Sequence, residues 1–389
     1  MSWPTVPLGE LITPAKIRRA GDDEYPLLSM TMHHGLVPQD AKFIKRVAST
    51  DTSSYKVINR GQLVVGFPID EGVLDFQTLH EEAIVSPAYG VWNLKNGPDV
   101  HIPYLKRFLR SDAAIAYYAA KLRGSTARRR SLPAPIFLEL QVSLPPIDEQ
   151  RRIAAILDHV EALRSRNYRG RLLLHTLPQH LFTTMFGDPD AATNTIELGA
   201  ITRLSGGRNL VGDDPFADSR FRVLKISAVT SGRFIPEESK PLPGDYEPPS
   251  GHLVRAGDLL MSRANTTELV GAAALVDHSP SNLALPDKIW RFDWLESGSN
   301  AVFYHALLST RSIRRRISLL SSGSGGSMKN VSKAKLSTMR IPHIPVGQQQ
   351  EFARLVEGIA RRAEQVRQRG DLFERMAASI QARAFRGEL

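Results

Sequence analysis

The sequence predicts an α+β chain made of two similar globular units and two long helices, and three observations predict it. The first is a duplication. Leu144-Pro145-Pro146-Ile147-Asp148-Glu149-Gln150 opens one helical pattern, and Ile344-Pro345-Val346-Gly347-Gln348-Gln349-Gln350 opens another. Ile153 and Phe352 stand 199 residues apart, and the same separation aligns Ile156 with Leu355, Val160 with Ile359, Leu174 with Phe373, Leu177 with Met376, Leu181 with Ile380 and Phe186 with Phe385. Internal repetition is read before anything else because it sets the architecture, and a single duplication means a molecule with pseudo-two-fold symmetry. The second observation is a long three-and-four spacing of apolar residues after each block. The third is that the remaining sequence alternates short apolar runs with Gly and Pro, the mark of mixed strand-and-helix domains.

Taken in order, residues 1–143 form a first variable unit, 144–190 a first helical segment, 191–341 a second variable unit and 342–389 a second helical segment. In the first unit, Leu63 to Phe67 follows Gly61 and reads as a buried strand after a turn. Tyr104 to Leu109 has helical periodicity, and Phe137 to Val142 alternates like a strand. The second unit repeats these features in Leu259 to Ser262 after Gly257, in Phe303 to Leu308 and in Leu336 to Ile341. Each unit is of ordinary domain size. Outside the matched elements the two differ almost everywhere, which suggests one job done on two targets.

The first helix is expected from about Asp148 to Met185, ended by Gly187 and Pro189; the second runs from about Gln348 to Phe385 and stops at Gly387. Ile153, Ile156, Val160, Leu163, Gly170, Leu174, Leu177 and Leu181 recur at spacings of three and four, with polar Asn167 interrupting. Phe352, Leu355, Ile359, Ala363, Val366, Phe373, Met376 and Ile380 do the same. A period near 3.5 residues marks a coiled-coil seam. A helix of about 36 residues spans about 54 Å and has no core of its own to lie on. The economical arrangement packs the two seams together, antiparallel under pseudo-two-fold symmetry; each helix could instead lie on its own unit. Pro178 is expected to kink or break the last turns of the first helix. Gly170 and Gly370 weaken helix and mark either close backbone approach or a hinge.

Composition bounds the function. The 389 residues hold 42% hydrophobic and 23% charged residues, which fits globular domains rather than a disordered chain. There is no Cys, so no disulfide and no thiolate metal site, and a cytoplasmic location is the natural expectation. Met1-Ser2-Trp3-Pro4 does not begin a signal peptide, and no apolar run is long enough for a transmembrane helix. The net charge of +10 points to a polyanionic partner or to background basicity. The cations cluster: Arg123, Arg128, Arg129 and Arg130 in the first unit; Arg314, Arg315 and Arg316, then Lys329, Lys333, Lys335 and Arg340, in the second. Arg130 and Lys329 share the 199-residue separation, so both units carry a basic segment just upstream of the long helix.

Taken together, the Pro145-Pro146-Ile147-Asp148-Glu149-Gln150 block, the Phe186-Gly187-Asp188-Pro189 helix end, the Ala384-Phe385-Arg386-Gly387-Glu388-Leu389 terminus and the order of unit, helix, unit, helix resemble the specificity subunit of a Type I restriction–modification enzyme. The second block departs from the pattern, with Gly347-Gln348-Gln349 where the first has Asp148-Glu149-Gln150. The resemblance implies two target recognition domains, each reading one half of a bipartite, asymmetric DNA site, held apart by two long antiparallel coiled-coil spacer helices. It implies that these helices dock two methyltransferase subunits, which carry S-adenosylmethionine and methylate adenine, and that motor and nuclease subunits join for restriction. It implies a chain that catalyses nothing and holds no cofactor or metal. Independently, a spacer of about 54 Å matches roughly one and a half turns of duplex at about 34 Å per turn.

Candidate DNA contacts follow from residue chemistry. Gly124 to Arg130, with Arg123, Ser125, Arg128, Arg129 and Arg130, and Gly323 to Asn330, with Ser327, Lys329 and Asn330, are small-residue loops running into cations; Lys333 follows closely. Such loops let backbone, hydroxyls and cations reach phosphates, and they equally fit solvated surface. Arg263 and Asn265 come just after the Leu259 strand. They are residue types that read guanine and adenine, and they equally fit an ordinary turn. Lys42, Lys45 and Arg46 form a weaker patch. The sequence has no phosphate-binding Gly-Lys loop and no Asn/Asp-Pro-Pro-aromatic motif; Val211 to Phe216 lacks a nuclease Lys partner, and His33-His34 lacks further metal ligands. The alternatives are a stand-alone methyltransferase or nuclease, and a pure assembly scaffold.

Overall fold

The computed structural model of the chain describes residues 3–32, 34–39, 51–97, 99–122, 132–208, 210, 219–278, 281–323 and 328–389. Two compact units divide it: Met1–Asn167 with Arg369–Leu389, and Tyr168–Gln368. Packing therefore groups each globular part with one portion of each long helix, rather than setting the helices apart as segments of their own.

The first unit opens on a two-stranded antiparallel ribbon, Thr5–Pro7 against Gln141–Ser143. Its main sheet has four antiparallel strands in the order Ile12–Pro14, Gly90–Leu94, Leu63–Val65, Leu74–Phe76. Helices Ile102–Leu109 and Asp112–Lys121 pack on it, the second capped by the Ser111 hydroxyl, which accepts the Ala114 N–H at 3.3 Å. Leu63, Phe76, Leu105, Leu109, Tyr118 and Val142 are buried in the core between them.

The second unit repeats the plan. Its ribbon pairs Thr195–Glu197 with Arg340–Pro342. Its sheet runs in the order Thr202–Gly206, Ile289–Trp294, Leu259–Ser262, Ala273–Leu275, again antiparallel. Helices Ala301–Ser309 and Arg311–Leu320 follow, each with a side-chain cap, Asn300 and Thr310. Strand Gly90–Leu94, the two helices, the short helix Ala134–Leu138 and strand Gln141–Ser143 each begin 199 residues before their counterparts at Ile289, Ala301, Arg311, Lys333 and Arg340. Upstream of Gly90 the separation changes, because the loops there differ in length.

Two elements depart from the sequence expectation. Phe137 to Val142 and Leu336 to Ile341 are not continuous strands: each begins in a short helix, Ala134–Leu138 or Lys333–Ser337, and only Gln141–Ser143 and Arg340–Pro342 pair as strands. The buried positions explain it. Phe137 to Leu140 and Leu336 to Met339 are three apart, a helical step, and only Leu140 to Val142 and Met339 to Ile341 are two apart. Likewise the first long helix, Ile147–Phe186, runs through Pro178 unbroken. The ring forfeits the bond to the Leu174 carbonyl. Beyond it Leu181, Phe182, Met185 and Phe186 pack into the second unit's core and hold the last turns.

The second long helix, Val346–Arg386, pairs with the first antiparallel in both units. In the first unit Ile153, Ala154 and Leu157 cluster with Ile380 and Ala384, and the Arg164 guanidinium bonds the Glu374 carboxylate at 2.9 Å through Nε. A Cβ on Gly370 would lie 2.8 Å from the Asn167 Oδ1, so glycine there permits close approach of the two helices. In the second unit Phe352 meets the Phe182 and Phe186 rings at centroid distances of 5.8 and 5.7 Å.

The contact line on the second helix follows Phe352, Val356, Ile359, Ala363, Val366, Gly370, Phe373, Ala377, Ile380 and Ala384, all buried or half-buried, in strict alternation of four and three. Leu355 and Met376, expected in the seam, sit one position off it and are 46% and 52% exposed; Leu177 on the first helix is 41% exposed. Small residues, Gly370, Ala377 and Ala384, take the seam because they let the helices close up, while the larger neighbours face outward. Ile153 and Val160 are buried, and Ile156, Leu174 and Leu181 half-buried.

A pair of buried glutamines is duplicated without any periodic signature. Gln150 and Gln349, 199 residues apart, are fully buried at the start of the long helices. Gln150 Oε1 accepts the His101 N–H at 2.8 Å, and its Nε2 donates to the carbonyls of Asp99 and Pro145 at 2.9 Å each. Gln349 Oε1 accepts the Asn300 N–H at 3.1 Å, and its Nε2 donates to the Ile344 carbonyl at 2.8 Å. Each glutamine ties the start of a long helix to the start of the helix at Ile102 or Ala301.

Candidate nucleic-acid interface

In the second unit the main sheet ends on a cluster of cations. Strand Thr202–Gly206 finishes opposite Trp290, and strand Leu259–Ser262 finishes opposite Ile289. Arg208, Arg263 and Lys288 therefore leave the same end of the sheet. Gly207 makes this turn possible: a Cβ there would stand 1.8 Å from the Leu285 carbonyl oxygen. Beside Arg263, the two-residue strand Ala264–Asn265 pairs with Lys329–Asn330, and Asn330 is bridged in turn to Ser322. The Lys333 ammonium lies 5.7 Å from the centre of the Trp290 ring, and the Arg263 guanidinium carbon 5.9 Å from it.

Of the residues chosen from sequence, Arg263, Asn265, Lys329, Asn330 and Lys333 are thus brought together, by this ribbon and by the Trp290 ring. Asn265 Nδ2 donates to the Thr230 hydroxyl at 3.3 Å, and the Lys329 ammonium to the Gly323 carbonyl at 3.0 Å. Arg208 and Lys288 join the cluster without any sequence signal, because only the strand register puts them there. Arg123, Ser125, Arg128, Arg129, Arg130 and Ser327 lie outside the described residues, as do Lys42, Lys45, Arg46, His33 and the Val211 to Phe216 segment.

The Arg314 to Arg316 run serves the fold instead. Arg315 and Arg316 both pair with Asp190, just past the first long helix, and Arg314 donates to the Glu268 carbonyl at 2.8 Å. Arg340 bonds the Thr195 hydroxyl and carbonyl, each at 2.8 Å. A nearby carboxylate or carbonyl claims these cations before a polyanion could.

The first unit ends its sheet differently on the same scaffold. Val91 faces Val64 as Trp290 faces Met261, so Gly66 holds the place of Arg263 and Tyr89 that of Lys288. Lys56 reaches this end and donates to the Tyr89 carbonyl at 2.6 Å. Each long helix also exposes large apolar side chains. Tyr168, Leu172 and Leu173 on the first are 69%, 55% and 69% exposed, and Leu372 on the second is 62% exposed. Among the described residues, no group of His, Asp and Glu could hold a metal, and no helix is long and apolar enough to cross a membrane.

No protein-family model matches the chain. It is 29% identical over 147 residues to the Type I restriction enzyme EcoEI specificity subunit of Escherichia coli; the match covers 38% of this chain and 25% of that protein's length. Among solved structures, a chain from work on complex assembly and conformational transition of the type I R-M system superimposes with a TM-score of 0.65 at 15% identity, over 100% of this chain and 98% of that one. The HsdS subunit of Thermoanaerobacter tengcongensis gives 0.50 at 16% identity, over 100% and 97%. The S subunit from M. genitalium gives 0.53 at 11% identity, over 98% and 96%. The fold is that of Type I S subunits.

Proposed function

We propose that this chain, which has the fold of Type I S subunits and shares sequence with one, is the DNA-sequence-recognition subunit of a Type I restriction–modification enzyme. Each unit is a target recognition domain for one half of a bipartite site. The observation that carries the reading is the contrast between scaffold and surface: the sheet, helices and buried glutamine recur in register, while the sheet ends carry Arg263 and Lys288 in one unit and Gly66 and Tyr89 in the other. A scaffold kept and a polar surface changed is what two different half-sites require. Cations give phosphate affinity, and Arg and Asn give base readout.

The long helices are the spacer between half-sites. Their exposed apolar residues, Tyr168, Leu172, Leu173 and Leu372, dock methyltransferase subunits, which carry S-adenosylmethionine; motor and nuclease subunits complete the assembly. The chain itself performs no chemistry. The test is binding of the full chain to random-sequence duplex at several salt concentrations. Affinity that falls steeply and linearly on a log–log plot supports the reading, and salt-independent or absent binding overturns it.

A further inference from the structure

Arg263 is held by a partner that the first unit lacks. Its Nε donates to the Asp287 backbone carbonyl at 2.9 Å and its Nη2 to the Asp287 carboxylate at 3.2 Å. Both bonds use one edge of the guanidinium. The other edge, Nη1 with the second Nη2 hydrogen, carries two parallel donors. Trp290, under the guanidinium, restricts the remaining rotation. An arginine so fixed offers a planar fork matching the O6 and N7 acceptors of guanine in the major groove. Scaffold interactions of this fold are duplicated, as Gln150 and Gln349 are, but this one is not. The strand register puts Gly66 at the place of Arg263, and Ala88 stands 199 residues before Asp287.

We propose that Asp287 is the positioning residue that aims Arg263 at a guanine in the half-site read by the second unit. This rests on the reading of the chain as a DNA-recognition subunit. The carboxylate contacts no base; it fixes the plane and edge of the arginine that does. Removing it leaves the charge of Arg263 in place and frees its direction, so affinity for DNA in general survives while selectivity at one position falls.

The experiment selects bound duplexes from a randomised pool with the full chain and sequences them, for wild type, Asp287→Ala, Asp287→Asn, Arg263→Lys and Arg263→Ala. Wild type enriches a bipartite motif containing a guanine that Arg263→Ala and Arg263→Lys both lose. Asp287→Ala weakens the preference for that same guanine about tenfold, equal to about 1.4 kcal/mol. Asp287→Asn, which keeps an acceptor oxygen, retains part of it, and the other half-site is unchanged in every variant. An Asp287→Ala motif identical to wild type, or a loss spread evenly over all positions, overturns the positioning role. A wild-type chain that enriches no motif overturns the recognition reading beneath it. Melting temperatures of all variants separate lost folding from lost selectivity, with Arg263→Lys keeping the charge as the second line of test.

Discussion

Replacing Gln349 by Leu tests whether the duplicated buried glutamine fastens each long helix to its unit. Leu fills a similar volume but neither accepts the Asn300 N–H nor donates to the Ile344 carbonyl, the bonds that Gln349 makes at 3.1 and 2.8 Å. Two polar backbone groups lose their partner at a fully buried position. At about 1–3 kcal/mol for each buried group left unsatisfied, offset by the apolar burial Leu gains, the net cost is about 2–4 kcal/mol. The neighbours supply the control, since Gln348 and Gln350 are exposed on the same turn. Urea unfolding of the full chain, followed by hydrogen exchange at Asn300, reads both global and local loss. Gln349→Leu should shift the midpoint down and open the Asn300 amide, whereas Gln350→Leu should do neither. The same holds for Gln150→Leu and the His101 amide in the first unit. Equal effects of Gln349→Leu and Gln350→Leu would refute the reasoning.

Other outcomes follow from the same structure. The chain has no native cysteine, so Asn167→Cys with Gly370→Cys should form a disulfide under mild oxidation, read on a non-reducing gel; failure to cross-link contradicts the antiparallel seam. Phe352→Ala, in the ring cluster with Phe182, Phe186 and Phe303, should cost about 3–5 kcal/mol in unfolding free energy. Burial holds the His305 imidazole below its usual range. Its folded value lies below its unfolded one, so its contribution is present above about pH 6.5 and lost as pH falls. The fall in melting temperature between roughly pH 7.5 and pH 5.5, which bracket that value, should be smaller in His305→Gln. Neutralising Lys329 and Lys333 together should lower the log–log salt slope of duplex binding by about 1.8, at about 0.9 per phosphate contact.

The duplication and the helix pairing were legible because they rest on periodicity, which survives in sequence. The off-by-one at Leu355 and Met376 arose because a large apolar side chain looks like a seam residue, while the close helix approach at Gly370 and Ala377 selects small ones. Pro178 misled in the same way: local propensity predicts a break, and the packing of Phe182 and Phe186 overrides it. At the candidate interface, Arg263, Asn265, Lys329, Asn330 and Lys333 were readable as residue types. Asp287, Lys288 and Arg208 were not, since their proximity depends on which strand ends lie together. The Arg314 to Arg316 run illustrates the converse, a basic stretch whose partner Asp190 lies 125 residues before Arg315 in sequence.

Methylation mapping of a chimaera tests the central claim, one unit for one half-site, most directly. Residues 1–143 are replaced by the corresponding segment of a relative with a different target, and the chain is expressed in cells with its methyltransferase partner. The account predicts that the methylated motif changes in one half and keeps the other half and the gap between them. A motif altered in both halves, in a chimaera that still folds and still supports methylation, would contradict it.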